Sequence, residues 1–455
     1  MPMTSIRRSA LGAFTIGLSA TLFAACSAAT PSASPSESGS PSPTASTAPT
    51  ASASAAPTPS PTASATGSPV ITPQPTPRTG SLTISWTKAT STGSGPGASY
   101  SSFASPTATL GDVTVVAPNT QGGDPGPLFW YSVDGLHWTK ASVSEPASES
   151  IWVADVTVGG PGFVAVGGDT TSDPNGSSGD VAIWTSADGR TWTRIHGPSL
   201  GAGELQKIGA TAHGLIAFGS DGRHGALWTS TNGTAWSVLD VPDGLAPWGV
   251  TALVASDGSL TMFDVASEAE DSPIDVWRAT SPTDWTRLGT LAHSAGQRIT
   301  QVVHGSRGWV ANGTATWTSA DGVAWSLAPK VPAEIRTLIA DARGFIAVGF
   351  RVTSSGCVYQ EYDTIGQTWT SADGRTWRRM AEDPKQNHGS INTLLIRDGT
   401  LYGLALGFAS QDAARSVVWT TDLSGFGASS GTEPPPASTP KPPAHTPEPA
   451  GCGGP

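Results

Sequence analysis

The chain has 455 residues, of which 13% are charged, and its formal net charge is -11 with an isoelectric point near 5.1. Nucleic-acid binding needs clustered Lys and Arg residues that displace counterions from phosphates, so this acidic balance excludes a nucleic-acid partner. The high contents of Gly (54), Pro (38) and Trp (17) are typical of many short strands joined by tight turns.

The N-terminal segment has the pattern of an export signal. Arg7 and Arg8 precede an apolar stretch from Leu11 to Ala25 that is too short to cross a membrane as a helix. The sequence Leu-Phe-Ala-Ala-Cys at 22–26 resembles the lipobox of bacterial lipoproteins, although Phe23 stands where that motif prefers Leu. The resemblance implies a lipid on Cys26 and anchoring at the outer surface of the cell membrane. The alternative is an ordinary cleaved signal, and the paired arginines also permit twin-arginine export.

Composition divides the rest of the chain. Residues 26–80 and 428–455 are rich in Ser, Thr, Ala and Pro, which cannot bury a core, so we expect a lipid-anchored disordered linker and a disordered tail. A signal peptide over 1–25 leaves one folded domain, 81–427. Cys357 and Cys452 could form a disulfide in an oxidising exterior.

Tryptophan pairs separated by eight positions mark an internal repeat. They lie at 130/138, 184/192, 228/236, 277/285, 317/325 and 369/377. An Asp-Gly or Asn-Gly dipeptide stands between the two tryptophans in five of these six copies, as in Trp184-Thr-Ser-Ala-Asp-Gly-Arg-Thr-Trp192. Because these dipeptides favour tight hairpins, each copy predicts two antiparallel strands with one Trp on each.

Each hairpin joins the last two strands, C and D, of a four-strand unit A to D. The C-strand tryptophans from Trp130 to Trp419 lie about 48 residues apart on average, which fits a propeller blade. The last unit has no D strand after Trp419, whereas Leu82 to Lys88 has the pattern of a D strand without a hairpin before it. We therefore expect an all-β, seven-bladed β-propeller whose last blade is closed by the N-terminal strand.

The motif Ser-x-Asp-Gly-x-x-Trp resembles the Asp box, or bacterial neuraminidase repeat, of sialidase-superfamily propellers and of many non-enzymatic secreted proteins. It is one residue shorter than the usual box, and Arg278-Ala-Thr-Ser-Pro282 replaces it in the fourth copy. The resemblance implies boxes at the C–D turns, opposite the central site. For sialidases it also implies an arginine triad, a Tyr/Glu pair, an acid/base Asp and a Phe-Arg-Ile-Pro segment. This sequence has no such segment and no alignable triad, so no catalytic residue is assigned.

The D–A and B–C loops, which gather at one end of a propeller, hold the candidate ligand residues. The blade-two loop has oxygen ligands at close spacing but lacks the terminal Glu of a calcium loop, so we assign no metal there. In blade six, Arg351 to Gln367 has carboxylates and phenols that could bind a polar ligand, with a solvated surface loop as the alternative. In blade four, Asp264 to Asp275 is a charge cluster, with a solvated face as the alternative. The candidates are Asp169, Asp173, Asn175, Asp180, Asp271, Asp275, Tyr359, Glu361, Tyr362 and Asp363.

These observations favour a non-catalytic surface lipoprotein whose propeller binds or scaffolds an extracellular glycan or protein. The scattered histidines and three cysteines form no zinc pattern, so we expect neither metal nor cofactor. We expect a monomer that contacts the membrane through its lipid only. The alternatives are a sialidase-like glycoside hydrolase and an assembly factor for an envelope complex. Trp152, Trp248 and Trp309 are either sugar-stacking platforms or core residues.

Overall fold

The computed structural model of the chain describes twelve ranges within the expected propeller domain. They are 86–92, 95–96, 105–118, 125–171, 179–197, 200–265, 273–291, 298–329, 334–355, 362–380, 391–408 and 414–423. In these ranges no helix has both the length and the apolar character needed to cross a membrane. The predicted signal peptide, the linker, the tail and all three cysteines lie outside the described residues.

The described strands form seven sheets, which are the blades of a seven-bladed propeller and are antiparallel except for one short added strand in blade 2. Blade 1 consists of β2 (Thr107–Leu110), β3 (Val113–Val116), β4 (Trp130–Ser132) and β5 (Thr139–Lys140). Blade 2 consists of β7 (Ile151–Gly159), β8 (Gly162–Asp169), β9 (Asp180–Ser186) and β10 (Thr191–Ile195), with a fifth strand β6 (Ser142–Val143). Blade 3 consists of β11 (Glu204–Thr211), β12 (Gly214–Ser220), β13 (Gly225–Ser230) and β14 (Ser237–Leu239).

The remaining blades follow in chain order. Blade 4 consists of β15 (Val250–Ser256), β16 (Ser259–Val265), β17 (Ile274–Ser281) and β18 (Asp284–Leu291), preceded by a 3-10 turn at Pro247–Gly249. Blade 5 consists of β19 (Ile299–Gly305), β20 (Gly308–Gly313), β21 (Thr316–Ser319) and β22 (Trp325–Ala328). Blade 6 consists of β23 (Glu334–Asp341), β24 (Gly344–Ser355), β25 (Tyr362–Ser371) and β26 (Arg378–Arg379). Blade 7 consists of β27 (Ile391–Arg397), β28 (Thr400–Phe408), β29 (Ala414–Asp422) and β1 (Thr87–Thr92).

The N-terminal strand closes the ring, as the sequence predicts. Strand β1 pairs antiparallel with β29, with Thr87 opposite Thr420 and Lys88 opposite Trp419. The strand begins at Thr87, later than the predicted Leu82, and residues 82–85 lie outside the described residues. Trp86 is 3% exposed, and its Nε1 donates to Thr368 Oγ1 of blade 6 at 2.8 Å. The last blade is therefore built from both ends of the domain, which removes its open edge.

Within the described residues, the hydrophobic core consists of seven clusters, each of which joins two neighbouring blades. Between blades 1 and 2, Phe129 stacks on Trp192 at a centroid distance of 3.9 Å and meets the edge of Trp184. Between blades 7 and 1, Val116 packs with Tyr402 and Val418. Since the clusters include the junction of the last blade with the first, the ring is closed by packing as well as by hydrogen bonds.

A bulge in strand A explains the glycine near the end of several B strands. The A–B register shifts in blades 2 to 7, for example between Leu205 and Lys207. The shift brings a carbonyl of strand A onto the glycine, so that a Cβ on Gly219 would lie 2.0 Å from Glu204 O. A Cβ on Gly167 would lie 2.0 Å from Trp152 O. No side chain fits at these positions, which accounts for the repeated Gly in the sequence.

Residues next to the bulges tie neighbouring blades together. Asp155 Oδ2 of blade 2 accepts the N–H of Ile208 at 3.1 Å. Gln301 of blade 5 both accepts from and donates to the backbone of Leu338, each at 2.8 Å. Burial raises the pKa of Asp155, although Lys207 and the backbone N–H donors act in the opposite direction. The A strands of these neighbouring blades are therefore joined by hydrogen bonds from a side chain of one blade to the backbone of the next.

Candidate functional site

The two ends of the propeller differ in their connections. The A–B connections, with two residues between strands in every blade, and the C–D hairpins lie at one end, which we call the turn end. The B–C and D–A connections lie at the other, which we call the loop end. Ten residues separate Asp169 from Asp180 there, eight separate Val265 from Ile274, and ten separate Leu239 from Val250.

The polar groups of the Asp-box residues at the turn end form hydrogen bonds with one another. In blade 2, Ser186 Oγ accepts the N–H of Gly189 at 2.8 Å and donates to Asp188 Oδ1 at 3.3 Å. Asp188 Oδ1 accepts the N–H groups of Arg190 and Thr191, and Trp192 Nε1 donates to Gly189 O at 3.2 Å. The N–H of Arg190 is the main cause that lowers the pKa of Asp188. The hairpin is thus stabilised by local bonds.

The same network recurs in four further hairpins, at Ser132–Trp138, Ser230–Trp236, Ser319–Trp325 and Ser371–Trp377. In blade 4 the network is reduced: Trp285 Nε1 donates to Pro282 O at 2.6 Å, and Ser281 Oγ accepts the N–H of Thr283 at 3.3 Å. The turns also pack on the preceding blade, because a Cβ on Gly189 would meet Val115 at 2.7 Å. These contacts explain the repeated motif by structure, and they occupy its polar groups.

At the loop end, blade 2 holds a nearly buried charge cluster. Arg194 Nη1 donates to Glu145 Oε2 at 3.0 Å and to Asp169 Oδ2 at 2.5 Å. The side chains of Arg194, Glu145 and Asp169 are 9%, 14% and 13% exposed. Glu145 Oε1 also accepts from Trp184 Nε1, and the guanidinium carbon lies 5.7 Å from the Trp184 ring centroid. Burial alone would lower the pKa of Arg194, but the bonds to Asp169 and Glu145 raise it.

A cavity of about 350 Å³ adjoins this cluster. Asp180 and Arg194 contribute the charged groups, Val181 and Leu200 contribute apolar surface, and His196 lies at the start of the D–A connection. The remaining lining residues are Ile195, Gly197, Gly201 and Ala202. Asp169 and Asp180 lie opposite each other in the β8–β9 register, so two of the four blade-two candidates come together. The other two, Asp173 and Asn175, lie outside the described residues.

In blade 4, the interpretation of the acidic stretch as a solvated face is wrong for its two ends. Asp264 is 0% exposed and Asp275 is 5% exposed, and they are opposite each other in the β16–β17 register. Asp275 binds Arg287 through both oxygens, at 2.7 and 3.0 Å, and accepts from Thr290 Oγ1 at 2.7 Å. Cross-strand pairing buries these carboxylates, which the charge pattern alone does not indicate. Asp271 lies outside the described residues.

The Asp264 carboxyl is held from one side only. Its Oδ2 accepts the N–H of Ala246 at 2.8 Å, and its Oδ1 has no hydrogen-bond partner. Burial and the charge of Asp275 raise the pKa of Asp264 to about 6. A carboxyl with a raised pKa beside an ionised one is a pattern of acid/base sites. Here the fully buried Asp264 has no surface on which a substrate could lie.

The blade-six candidates are only partly described. Tyr362 and Asp363 begin strand β25, where they face Ser355 and Ser354 of β24. Tyr359, Glu361 and Cys357 lie outside the described residues. Across the part of the chain that the structure describes, no three His, Cys, Asp or Glu side chains are grouped so that they could hold a metal ion.

The tryptophans outside the repeat have different positions. Trp309 is 4% exposed in the core between blades 4 and 5, where it stacks on His304 at 4.1 Å. Trp152 is half-buried, and a Cβ on Gly168 would clash with its ring. Trp309 is therefore a core residue and no stacking platform. The side chain of Trp248 is not described.

Sequence reasoning missed Glu145, Arg194, His196 and Leu200. Arg194 stands two positions after the D-strand Trp192, where other blades have Lys140, Val238 or Leu327. Glu145 lies in a connection without periodicity, 49 positions from Arg194. Only the cross-strand register, with Arg194 opposite Trp184, would have indicated the cluster.

Comparison with known proteins identifies no family. No family model matches the sequence, and no curated protein matches it. Among solved structures, YCF48 bound to D1 peptide is 14% identical, with a TM-score of 0.46 over 78% of this chain and 99% of that one. Puromycin hydrolase is 12% identical, with a TM-score of 0.44 over 73% and 55%. A glycosyl hydrolase from Bacteroides ovatus is 12% identical, with a TM-score of 0.25 over 70% and 83%. The blade count and the closure of the ring make this chain a seven-bladed β-propeller.

Proposed function

We propose that this protein is a non-catalytic binding propeller that takes a glycan or protein ligand at its loop end. The observation that carries the proposal is the difference between the two ends. At the turn end, the polar groups of the short connections are hydrogen-bonded within their own hairpins, as those of Ser186 and Asp188 are. At the loop end, long connections surround a polar cavity. Binding residues commonly lie on loops that a rigid scaffold positions.

The carboxylates at the loop end support binding over catalysis. Asp169 and Asp275, both predicted as ligand residues, are engaged by Arg194 and Arg287. An acid/base or nucleophilic carboxylate has to reach the reacting atoms of a substrate. Those two carboxylates instead brace the strands from which the loops start, and Asp264 is buried beneath the surface. They are suited to holding loops in place.

We further propose that the propeller stands outside the cell membrane on a lipid at Cys26. The proposal is supported by the apolar segment and the lipobox-like residues that precede this cysteine. The Cys26→Ser variant, expressed in a bacterial host, should leave the membrane fraction and appear in the soluble exported fraction. Retention of the variant in the membrane fraction would refute the lipid anchor.

The binding role is tested with the full-length protein on a glycan array that includes fluorogenic sialosides and related glycosides as turnover reporters. Surface cross-linking on cells covers protein ligands. We expect selective binding without turnover. Turnover would favour the glycoside hydrolase, and a protein partner without glycan binding would favour the assembly factor.

A separate measurement tests which end of the propeller binds the ligand. Hydrogen exchange of the complex should slow in the D–A connections 196–203 and 240–249 and remain unchanged in the hairpin 186–192. Protection confined to the C–D hairpins would place the ligand at the opposite end and refute the proposal.

A further inference from the structure

One loop-end connection closes over the buried carboxyl of Asp264. It is the D–A connection of residues 240–249 between blades 3 and 4, which we call the strap. The N–H of Ala246 donates to Asp264 Oδ2 at 2.8 Å, and a Cβ on Gly249 would lie 2.8 Å from Oδ1. Both carboxyl oxygens therefore lie against the strap, and Asp264 is 0% exposed.

The closed strap leaves one carboxyl oxygen without a donor. Oδ1 of Asp264 is buried and has no hydrogen-bond partner. An ionised oxygen in this position loses its hydration without a compensating bond, which is costly. On its other sides Asp264 is held in the sheet, opposite Val250 of β15 and Asp275 of β17. Movement of the strap is therefore the route by which water reaches Oδ1.

The strap is fixed to the sheet at this point by the bond from Ala246. The N–H groups of Leu245 and Gly249 bond within the strap instead, to Pro242 O and Ala246 O. Leu245 is buried against blades 3 and 4, so the strap also has an apolar anchor. A short segment with few bonds to the body of the protein opens at a lower free energy than the strands beneath it.

The charge that acts on Asp264 comes from the neighbouring strand. Among the described residues, Asp275 of β17 is the charged group opposite Asp264, and Arg287 of β18 binds Asp275 through both oxygens. Strand β15 has the uncharged Val250 at this level, and β12 and β13 of blade 3 pack against the 3-10 turn of the strap. The titratable and charged residues of the strap and of the β12–β13 connection are all exposed: Asp240, Asp243, Asp221, Arg223 and His224.

We propose that the strap is a proton-controlled closure of the loop end, which stays closed while Asp264 is protonated and opens more often when Asp264 is ionised. Burial, together with the charge of Asp275, raises the pKa of Asp264 to about 6, whereas an open strap leaves this carboxyl in water with its ordinary pKa of 3.8. Because the closed state binds the proton more tightly, a rise in pH from about 4 to 6 favours opening. The inference goes beyond the proposed binding function and does not depend on it.

The test is hydrogen exchange of the full-length protein without ligand at pH 4.5, 5.5, 6.5 and 7.5. Dividing each rate by the rate of an unstructured peptide at the same pH removes the pH dependence of the exchange chemistry. The N–H groups of Leu245, Ala246 and Gly249 report opening of the strap. The hairpin 230–236 is the internal control, because Asn232 stands there in place of the box Asp and does not titrate.

Two variants separate Asp264 from the other titrating groups. Asp264→Asn keeps an acceptor for the N–H of Ala246 and removes the titrating carboxyl. Asp243→Asn is the matched control, because it makes the same chemical change at an exposed position of the same strap. Equal melting temperatures of wild type and both variants at pH 4.5 show that the fold is intact.

In wild type and in Asp243→Asn, protection of the strap should fall by a factor of about 5 to 25 between pH 4.5 and 7.5, with most of the fall below about pH 6.5. In Asp264→Asn, the same protection should change by less than about twofold. Protection of the control hairpin should also change by less than about twofold in all three proteins.

Three results would overturn the inference: strap protection in wild type that does not change with pH, an equal fall in Asp264→Asn, or an equal fall in the control hairpin, which would mean that the whole propeller loosens. The wild-type profile is decisive by itself, so the test does not require the variant to fold. None of these measurements involves a ligand, so their failure leaves the proposed binding function to its own tests.

Discussion

Replacing Asp264 with Asn should make the propeller more stable at neutral pH. The folded protein holds the Asp264 proton with a pKa of about 6, against 3.8 for the unfolded chain. Because the folded state binds this proton more tightly, the free energy of unfolding falls as the pH rises from about 4 to 6. The shift corresponds to about 3 kcal/mol, and solvent screening reduces the expected effect to about 1–2 kcal/mol.

The Asn side chain keeps the contact that Asp264 makes. Its carbonyl oxygen can accept from the N–H of Ala246, and its amide nitrogen occupies the place of the unpartnered Oδ1. Asp275, already paired with Arg287, is the nearest charged group in the register. The variant therefore removes a buried charge without opening a cavity.

The assay is urea unfolding of wild type and Asp264→Asn at pH 4, 5, 6, 7 and 8, with Asp243→Asn as an exposed control. Other groups titrate in all three proteins, so their effects cancel in the differences. The variant should gain stability between pH 4 and 6 and keep the gain above pH 7. A difference that does not change with pH, or that grows toward low pH, would refute the reasoning.

Three further substitutions test the repeat. Ser186→Ala leaves the Gly189 N–H without its acceptor and should lower the free energy of unfolding by about 1–3 kcal/mol. Ser281→Ala in the divergent fourth hairpin should change the free energy of unfolding by less than about 0.5 kcal/mol. Urea unfolding measures both, and equal effects would contradict the box network. Gly219→Ala places a Cβ 2.0 Å from Glu204 O and should cost about 3 kcal/mol, while Gly179→Ala, with its nearest atom at 3.2 Å, should cost clearly less. Trp86→Ala should cost about 3–5 kcal/mol and speed proteolysis near β1, whereas the exposed Lys88→Ala should do neither; a stable Trp86→Ala protein would show that closure does not depend on this indole.

The blade count and the closure could be predicted because the determining residues recur. Each Trp pair marks a C–D hairpin, and the missing D strand after Trp419 required a partner from the N-terminus. The sequence predicted that strand from Leu82, and among the described residues its pairing begins at Thr87. The fifth strand of blade 2 was not predicted at all. Its two residues, Ser142–Val143, carry no periodic signal and pair parallel to β10 only because the connection from blade 1 passes that edge.

The loop-end clusters could be predicted only in part, because they depend on burial and on distant partners. The sequence indicated Asp169 and Asp275 as polar candidates but not their partners Arg194 and Arg287. Whether a carboxylate near a strand end is solvated or buried depends on the neighbouring connection. For Asp264, that connection supplies the N–H of Ala246 from a segment 18 positions earlier. No local pattern records this contact.

A comparison between blades shows what the long loops share. Blades 2, 4 and 6 have an Arg two positions after the D-strand tryptophan, namely Arg194, Arg287 and Arg379, and all three have acidic B–C connections. In blades 2 and 4 this Arg binds the carboxylate at an edge of that connection, Asp169 or Asp275. Blades 3 and 5 have Val238 and Leu327 at the same position, and their B–C connections have four and two residues. Blade 1 does not follow this pattern, because its B–C connection has thirteen residues and Lys140 stands at the same position. In blades 2 and 4 the Arg therefore fixes one edge of the B–C connection, and under the proposed function these two connections are where ligand binding is to be sought.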